Sequence, residues 1–206
     1  MNEAIFGFLG VLVGSFIPWI KEAWGEKRLR GQHAVYLAAQ AVCVLDEYVQ
    51  KCVDVVGDNG TVLGRPAERD ENGQEYYVPQ VMLPEPPAYP DDVDWKSIDS
   101  SLMYRLLALP NNARDTDRYI RACSEHASLP DHEELFEARC EGYAILGLEA
   151  LALAKELRET YKIPNRNNNK WNLDCKPENY LKDKRKEVEY QRKNRATSIS
   201  KMLNNL

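Results

Sequence analysis

The sequence lacks the short motifs that mark the common enzyme classes. It has no Walker phosphate-binding loop, no GxGxxG, no GxSxG and no HExxH. Its only metal-like group is Cys123, His126 and His132 with Glu133 or Glu134, and this spacing matches no standard zinc pattern. We therefore expect no catalytic, cofactor-binding or metal-binding residues. The alternative is a membrane-tethered enzyme or effector that uses the acidic loop around Cys123, His126 and His132.

Cysteine pairs at metal or redox spacing are missing as well. The chain has five cysteines, none of them in a CxxC pair. An odd, scattered set of cysteines fits reduced thiols in a cytosol better than a disulfide framework.

Charge is absent from the segment Ala4 to Ile20, AIFGFLGVLVGSFIPWI. At about 1.5 Å per residue this segment spans roughly 25 Å as a helix, near the short end for a bilayer core of about 30 Å. A cleaved signal peptide would begin with basic residues and end at small ones. This segment begins Met1-Asn2-Glu3 and leaves through Pro18-Trp19-Ile20, so we predict a permanent single-pass transmembrane helix within an anchor of residues 1–24.

Basic residues flank the apolar segment on one side only, namely Lys21, Lys27, Arg28 and Arg30. Because lysine and arginine are retained on the cytoplasmic side, we expect the body of the protein in the cytoplasm, at the inner membrane if the cell is bacterial. A phage-lysis spanin would need the body in the periplasm, which the basic flank opposes.

The remaining chain divides by charge. Residues 31–161 hold 11 Lys and Arg against 24 Asp and Glu, a net of −13, whereas residues 162–206 hold 12 against 5, a net of +7. We predict an acidic helical domain over residues 25–163, with an insertion at 57–93, and a basic charged tail over residues 164–206. The predicted fold class is mainly α: one transmembrane helix continuing into a cytoplasmic helical bundle, with a small β-hairpin or irregular Pro-rich insertion.

A seven-residue repeat follows the anchor, with Val35, Val42, Val49 and Val56 at one heptad position and Ala38, Leu45 and Cys52 three residues later. The same register places Gly7, Gly10 and Gly14 on one face of the membrane segment, and GxxxG spacing lets membrane helices approach closely. Two interpretations remain: an amphipathic helix that packs on its own domain, which three heptads favour, or a coiled coil that makes a parallel homo-oligomer.

Three body helices are predicted from apolar spacing. The first begins near Asp94 or Ser97 and ends at Pro110-Asn111-Asn112, and the second covers 113–126. The third begins at Pro130-Asp131 and ends before Pro164. Its apolar centre, residues 143–154, is too short for a membrane span, so we predict a buried central helix. Asn72-Gly73 predicts a hairpin turn beside a strand at 75–78.

The basic tail carries seven candidate surface residues: Lys182, Lys184, Arg185, Lys186, Arg192, Lys193 and Arg195. We rank three interpretations for them: a solvated tail that folds against the acidic body, contact with anionic lipid, and contact with nucleic acid. Taken together, these features lead us to expect a non-enzymatic adaptor or scaffold that presents a cytoplasmic helical domain to an unknown protein partner.

Overall fold

The computed structural model describes residues 2–69, 71, 73–126, 132–165 and 176–203, without the side chains of residues 2–20, 23, 126, 199, 202 and 203. This part of the chain is mainly helical, which confirms the predicted class. Its helices are α1 (Asn2–Gly57), α2 (Ser100–His126), α3 (Glu133–Tyr161) and α4 (Pro177–Leu203). Its strands are β1 (Thr61–Val62), β2 (Arg65–Pro66), β3 (Glu68–Arg69) and β4 (Glu75–Tyr76), and a 3₁₀ helix covers Trp95–Ser97.

Helix α1 is continuous, but only its second half lies within the bundle. All described side chains between residues 21 and 33 are exposed, and the first buried one is Ala34. From Ala34 onward, one face of α1 is buried in the core. Its residues are Leu37, Ala38, Ala41, Val42, Leu45, Tyr48, Val49, Cys52, Val55 and Val56. The helix ends at Gly57, as predicted for the Gly57–Gly60 segment.

Helix α3 is the centre of the bundle, because α1, α2 and α4 each pack against it. It is antiparallel to α1, with Arg158 paired to Asp46 and Arg139 paired to Asp58. Gly147 allows α3 to pack closely on two helices, since a Cβ atom there would lie 2.8 Å from Leu181 Cδ1 on α4 and 3.0 Å from Cβ of Cys52 on α1. The predicted buried central helix is confirmed, and its apolar circumference follows from having helices on three sides.

A helix break at Pro110 was predicted and is wrong, because α2 runs through it. Proline cannot donate a backbone hydrogen bond and crowds the carbonyl of the residue four positions earlier, at a cost of about 3 kcal/mol. Leu106, Leu109 and Ala113 are fully buried on either side of it. Burial of one leucine contributes roughly 1.5–3 kcal/mol, so packing of this face outweighs the local preference. Asp99, rather than Asp94 or Ser97, caps α2 by accepting from the backbone N–H groups of residues 101 and 102.

The insertion after α1 contains two short antiparallel hairpins. Strand β1 pairs with β2 across Leu63-Gly64, and both of these residues have positive φ, the pattern of a type I′ turn. Strand β3 pairs with β4, with Glu68 opposite Tyr76. The predicted hairpin around residues 72–73 is therefore present, with its second strand ending at Tyr76 rather than Val78, although Asn72 itself lies outside the described residues.

The Pro-rich connector between β4 and α2 packs against the bundle. Val81, Leu83, Tyr89, Val93 and Trp95 are partly buried against the core. Where the connector reaches the start of the bundle, Arg30 donates to the carbonyl of Lys96 at 2.7 Å. Residues 78–99 thus cross from the far end of α1 back to the level of Arg30, which places the start of α2 there.

No helix within the described part of the chain is long and apolar enough to cross a membrane. The predicted transmembrane segment, residues 4–20, has helical backbone here, but its side chains lie outside the described set.

Candidate functional site

The residues predicted to mediate helix association fall into three environments. Val42 and Val49 lie in the protein's own core, at 3% and 4% exposure, whereas Val35 is 45% exposed. Gly7, Gly10 and Gly14 have helical backbone, but their burial lies outside what the structure describes. The environments of Val42 and Val49 favour packing on the protein's own domain over a coiled coil. Self-association through Val35 and the glycine face stays a prediction.

Residues 177–203 of the basic tail form α4, the fourth helix of the bundle. Leu181 and Val188 are buried. Arg192 contacts Glu141 at 2.5 Å and Glu137 at 3.2 Å, and Arg195 contacts Glu133 at 2.6 Å and also Glu137.

The other candidate residues of the tail pair within α4 or stay exposed. Four of them form ion pairs one turn away: Lys182 with Glu178, Lys184 with Glu187, Arg185 with Glu189 and Lys186 with Asp183. Lys193 is exposed. The contacts of Arg192 and Arg195 with α3 favour the interpretation in which the tail folds against the acidic body.

The structure describes only part of the group of Cys123, His126 and His132. Cys123 is half-buried on α2, and the His126 side chain and residues 127–131 lie outside the described set. His132 has φ +46° at the start of α3, and its Nδ1 is buried without a partner among the described residues. Those residues hold no cluster of three or more His, Cys, Asp or Glu side chains suited to a metal ion.

The structure contains a buried ion pair between Asp58 and Arg139, which no sequence motif predicted. Arg139 Nη2 donates to Asp58 Oδ2 at 3.0 Å and to the carbonyl of Val81 at 2.6 Å. Asp58 also accepts from the backbone N–H groups of Gly60, Gln80 and Val81. This cluster ties the end of α1, the connector and α3 together, which makes it structural.

Three tyrosines, Tyr48, Tyr89 and Tyr143, have buried hydroxyl groups. Tyr143 donates to Asp117 Oδ1 at 2.6 Å, while the hydroxyls of Tyr48 and Tyr89 are buried without a partner in the described structure. Burial raises the pKa of Tyr143, Tyr48 and Tyr89, so all three remain neutral phenols. One oxygen of Asp117 on α2 therefore accepts the hydrogen bond of Tyr143, and Asp117 also lines a concavity on the outer surface of α2.

That surface of α2 contains two adjoining concavities, which we call the α2 groove. The first, about 620 Å³, is lined by Pro86, Asn111, Arg114, Asp115, Asp117, Arg118 and Arg121. The second, about 440 Å³, is lined by residues 85–91 of the connector with Trp95, Leu107, Pro110 and Arg114. Pro86 and Arg114 belong to both, so the two concavities form one groove between α2 and the connector. Arg114, Arg118 and Arg121 are spaced by four and three residues, which places them on one face of a helix. This spacing was the sequence signal that could have identified the groove.

Comparisons with protein-family models, with curated proteins and with solved structures give no match for this chain.

Proposed function

We propose that the protein is a single-pass, N-terminally anchored adaptor whose helical bundle is held off the inner membrane, in the cytoplasm, and presented to a protein partner. The observation that carries this proposal is the continuity of α1. One uninterrupted helix includes the apolar segment 4–20, the exposed segment 21–33 and the core segment that begins at Ala34.

The exposed segment has the character of a spacer. Its 13 residues have a helical length of about 20 Å, and the described side chains of the segment face solvent on all sides. At its inner end Arg30 donates to the Lys96 carbonyl, and His33 lies 3.7 Å from Asp94. These contacts brace the spacer against the 3₁₀ helix, which favours a fixed rather than a hinged attachment of the bundle.

The orientation rests on the basic residues Lys21, Lys27, Arg28 and Arg30. If they lie just inside the membrane, a C-terminal fluorescent protein fusion is bright and a C-terminal alkaline phosphatase fusion is inactive. A matched chain without residues 2–20 should leave the membrane fraction after alkaline carbonate washing, while the full chain stays. An active phosphatase fusion would place the body outside and revive the spanin interpretation. A full chain that washes off the membrane would reject the anchor.

The non-enzymatic part of the proposal is supported by the cysteines of the core. Burial raises the pKa of Cys52 to about 12 and that of Cys140 to about 11, so neither thiol is ionised near neutral pH. We expect the triple variant Cys123→Ala/His126→Gln/His132→Gln to keep the metal content and the cellular phenotype of the wild type. Stoichiometric zinc in the purified wild type that is lost in the variant would instead support the tethered enzyme.

A further inference from the structure

We infer that the α2 groove binds an acidic peptide segment of the partner protein, with the acidic residues over the arginines and adjoining apolar residues over Leu107. This rests on the proposed adaptor function and assigns it a surface and a partner chemistry.

The groove follows one face of α2. Leu107, Asn111, Arg114, Arg118 and Arg121 are spaced by four, three, four and three residues. At 100° per residue they fall on a single stripe, about 21 Å long at a rise of 1.5 Å. The stripe begins apolar and ends basic, so a bound segment must carry the complementary order of side chains.

Most other arginines of the bundle join two elements, although Arg185, like Arg118, pairs within its own helix. Arg105, Arg139, Arg158, Arg192 and Arg195 each contact a carboxylate on a different helix or on the insertion. Among the described residues, Arg118 in the groove pairs only with Asp115, within α2 at an exposed site.

The two other guanidinium groups of the groove are not paired with acid. Arg114 donates to the neutral amide of Asn111 at 2.7 Å, and the Arg121 guanidinium has no ion pair among the described residues. In a body with a net charge of −13, unpaired arginines on one stripe favour a carboxylate supplied from outside.

The other end of the groove is aromatic and apolar. Tyr89 and Trp95 meet edge to face with ring centroids 5.5 Å apart, beside Leu107, which is 44% exposed. Proline, aromatic and leucine side chains suit an apolar segment of a peptide.

A peptide fits the charges of the walls better than a nucleic acid. Glu85 and Asp91 line the apolar end, and Asp115 and Asp117 line the basic end. These carboxylates would repel a phosphate at every step of a nucleic acid, whereas a peptide can place a few acidic residues at the arginines alone.

The test uses the purified full chain in detergent micelles and fluorescein-labelled peptides of about twelve residues, long enough to follow the stripe. One peptide has a glutamate-rich half followed by a half of leucine and proline, and a second has the reverse order. Controls are versions with Gln in place of Glu and a single-stranded oligonucleotide of equal charge. Binding is measured by fluorescence anisotropy.

Charge-reversal variants of the protein test the arginines themselves. Arg114→Glu/Arg121→Glu should bind the better peptide about tenfold more weakly than the wild type. Lys155→Glu/Lys186→Glu changes the net charge equally at exposed sites outside the groove and should bind like the wild type. If the reversal variant fails to keep its helical circular dichroism, Arg114→Gln/Arg121→Gln takes its place with the same expected direction.

Four outcomes would overturn the inference: no binding of either peptide, equal binding of the Gln peptides, equal weakening in the lysine control, or tighter binding of the oligonucleotide. Because binding in micelles does not depend on topology, a failed fusion experiment and a failed peptide experiment are distinguishable.

Discussion

Replacement of Asp58 by Asn tests the buried cluster that joins α1, the connector and α3. The side chains of Asp58 and Arg139 are 2% and 6% exposed, and Asp58 accepts from Arg139 and from three backbone N–H groups. An amide of the same shape removes the counter-charge of Arg139. The amide N–H group of Asn would also face the Arg139 guanidinium or the backbone N–H groups, which are themselves hydrogen-bond donors.

The cost follows from leaving a cation buried without its partner. Breaking a buried ion pair on one side costs about 3–5 kcal/mol. For a chain of this size each kcal/mol lowers the midpoint of thermal unfolding by roughly 2–4 °C, so Asp58→Asn should lower it by roughly 6–20 °C. Because Arg139 also donates to the Val81 carbonyl, we expect the insertion to become sensitive to protease at lower temperature than α3.

The assay is thermal and urea unfolding of the full chain in micelles, followed by circular dichroism, for Asp58→Asn, Arg139→Met and the double variant. Arg139→Met removes the cation and leaves Asp58 with its three backbone donors, so it should cost less than Asp58→Asn. The double variant should lose less stability than the sum of the two single losses, by about 1–3 kcal/mol. Additive effects, or a loss below about 1 kcal/mol for Asp58→Asn, would refute a coupled ion pair.

Three further predictions concern packing, pH and self-association. Gly147→Val should destabilise the bundle by about 1–3 kcal/mol in urea unfolding, because its side chain would overlap Leu181 and Cys52. Burial raises the pKa of Cys140 from about 9 to about 11. The unfolded chain therefore loses the thiol proton at lower pH than the folded chain, so the free energy of unfolding falls as the pH rises from about 9 to about 11. Cys140→Ala should flatten this decline in the unfolding midpoints. A photo-reactive phenylalanine analogue at Val35 should crosslink two chains in membranes, whereas the same group at Tyr36, similarly exposed but 100° around α1, should not.

Sequence periodicity predicted the helices of this protein well where burial and local preference agree. The heptad spacing from Val35 to Val56 predicts α1, and the apolar centre from Tyr143 to Ala154 predicts the buried α3. Local preference misled at Pro110, because the helix there is maintained by leucines that pack on a partner helix. The tail was not predicted as a helix of the bundle, because α4 buries little apolar surface and is held to α3 largely by Arg192 and Arg195.

The long-range clusters could not be read from the sequence. Asp58 and Arg139 are 81 residues apart, and nothing in the local pattern of either distinguishes a buried ion from a solvated one. One wall of the α2 groove could be predicted from the sequence, since the spacing of Arg114, Arg118 and Arg121 is helical. The other wall could not be predicted, because the connector that supplies Pro86 and Tyr89 is irregular and its path is fixed by tertiary contacts.

The heptad repeat of α1 shows why register alone cannot identify a partner. A seven-residue stripe requires an apolar surface opposite it, and a second chain or another helix of the same chain satisfies that requirement equally. Here α3 supplies it from Ala38 onward, through contacts such as Arg158 with Asp46 that span 112 residues of sequence. Because Val35 is exposed and Val42 is not, the covered part of the stripe begins between them. Within the described side chains, the stripe is left uncovered only before Ala38, so we predict that a second copy would pack on this part of α1, in the register shared with Gly7 and Gly14.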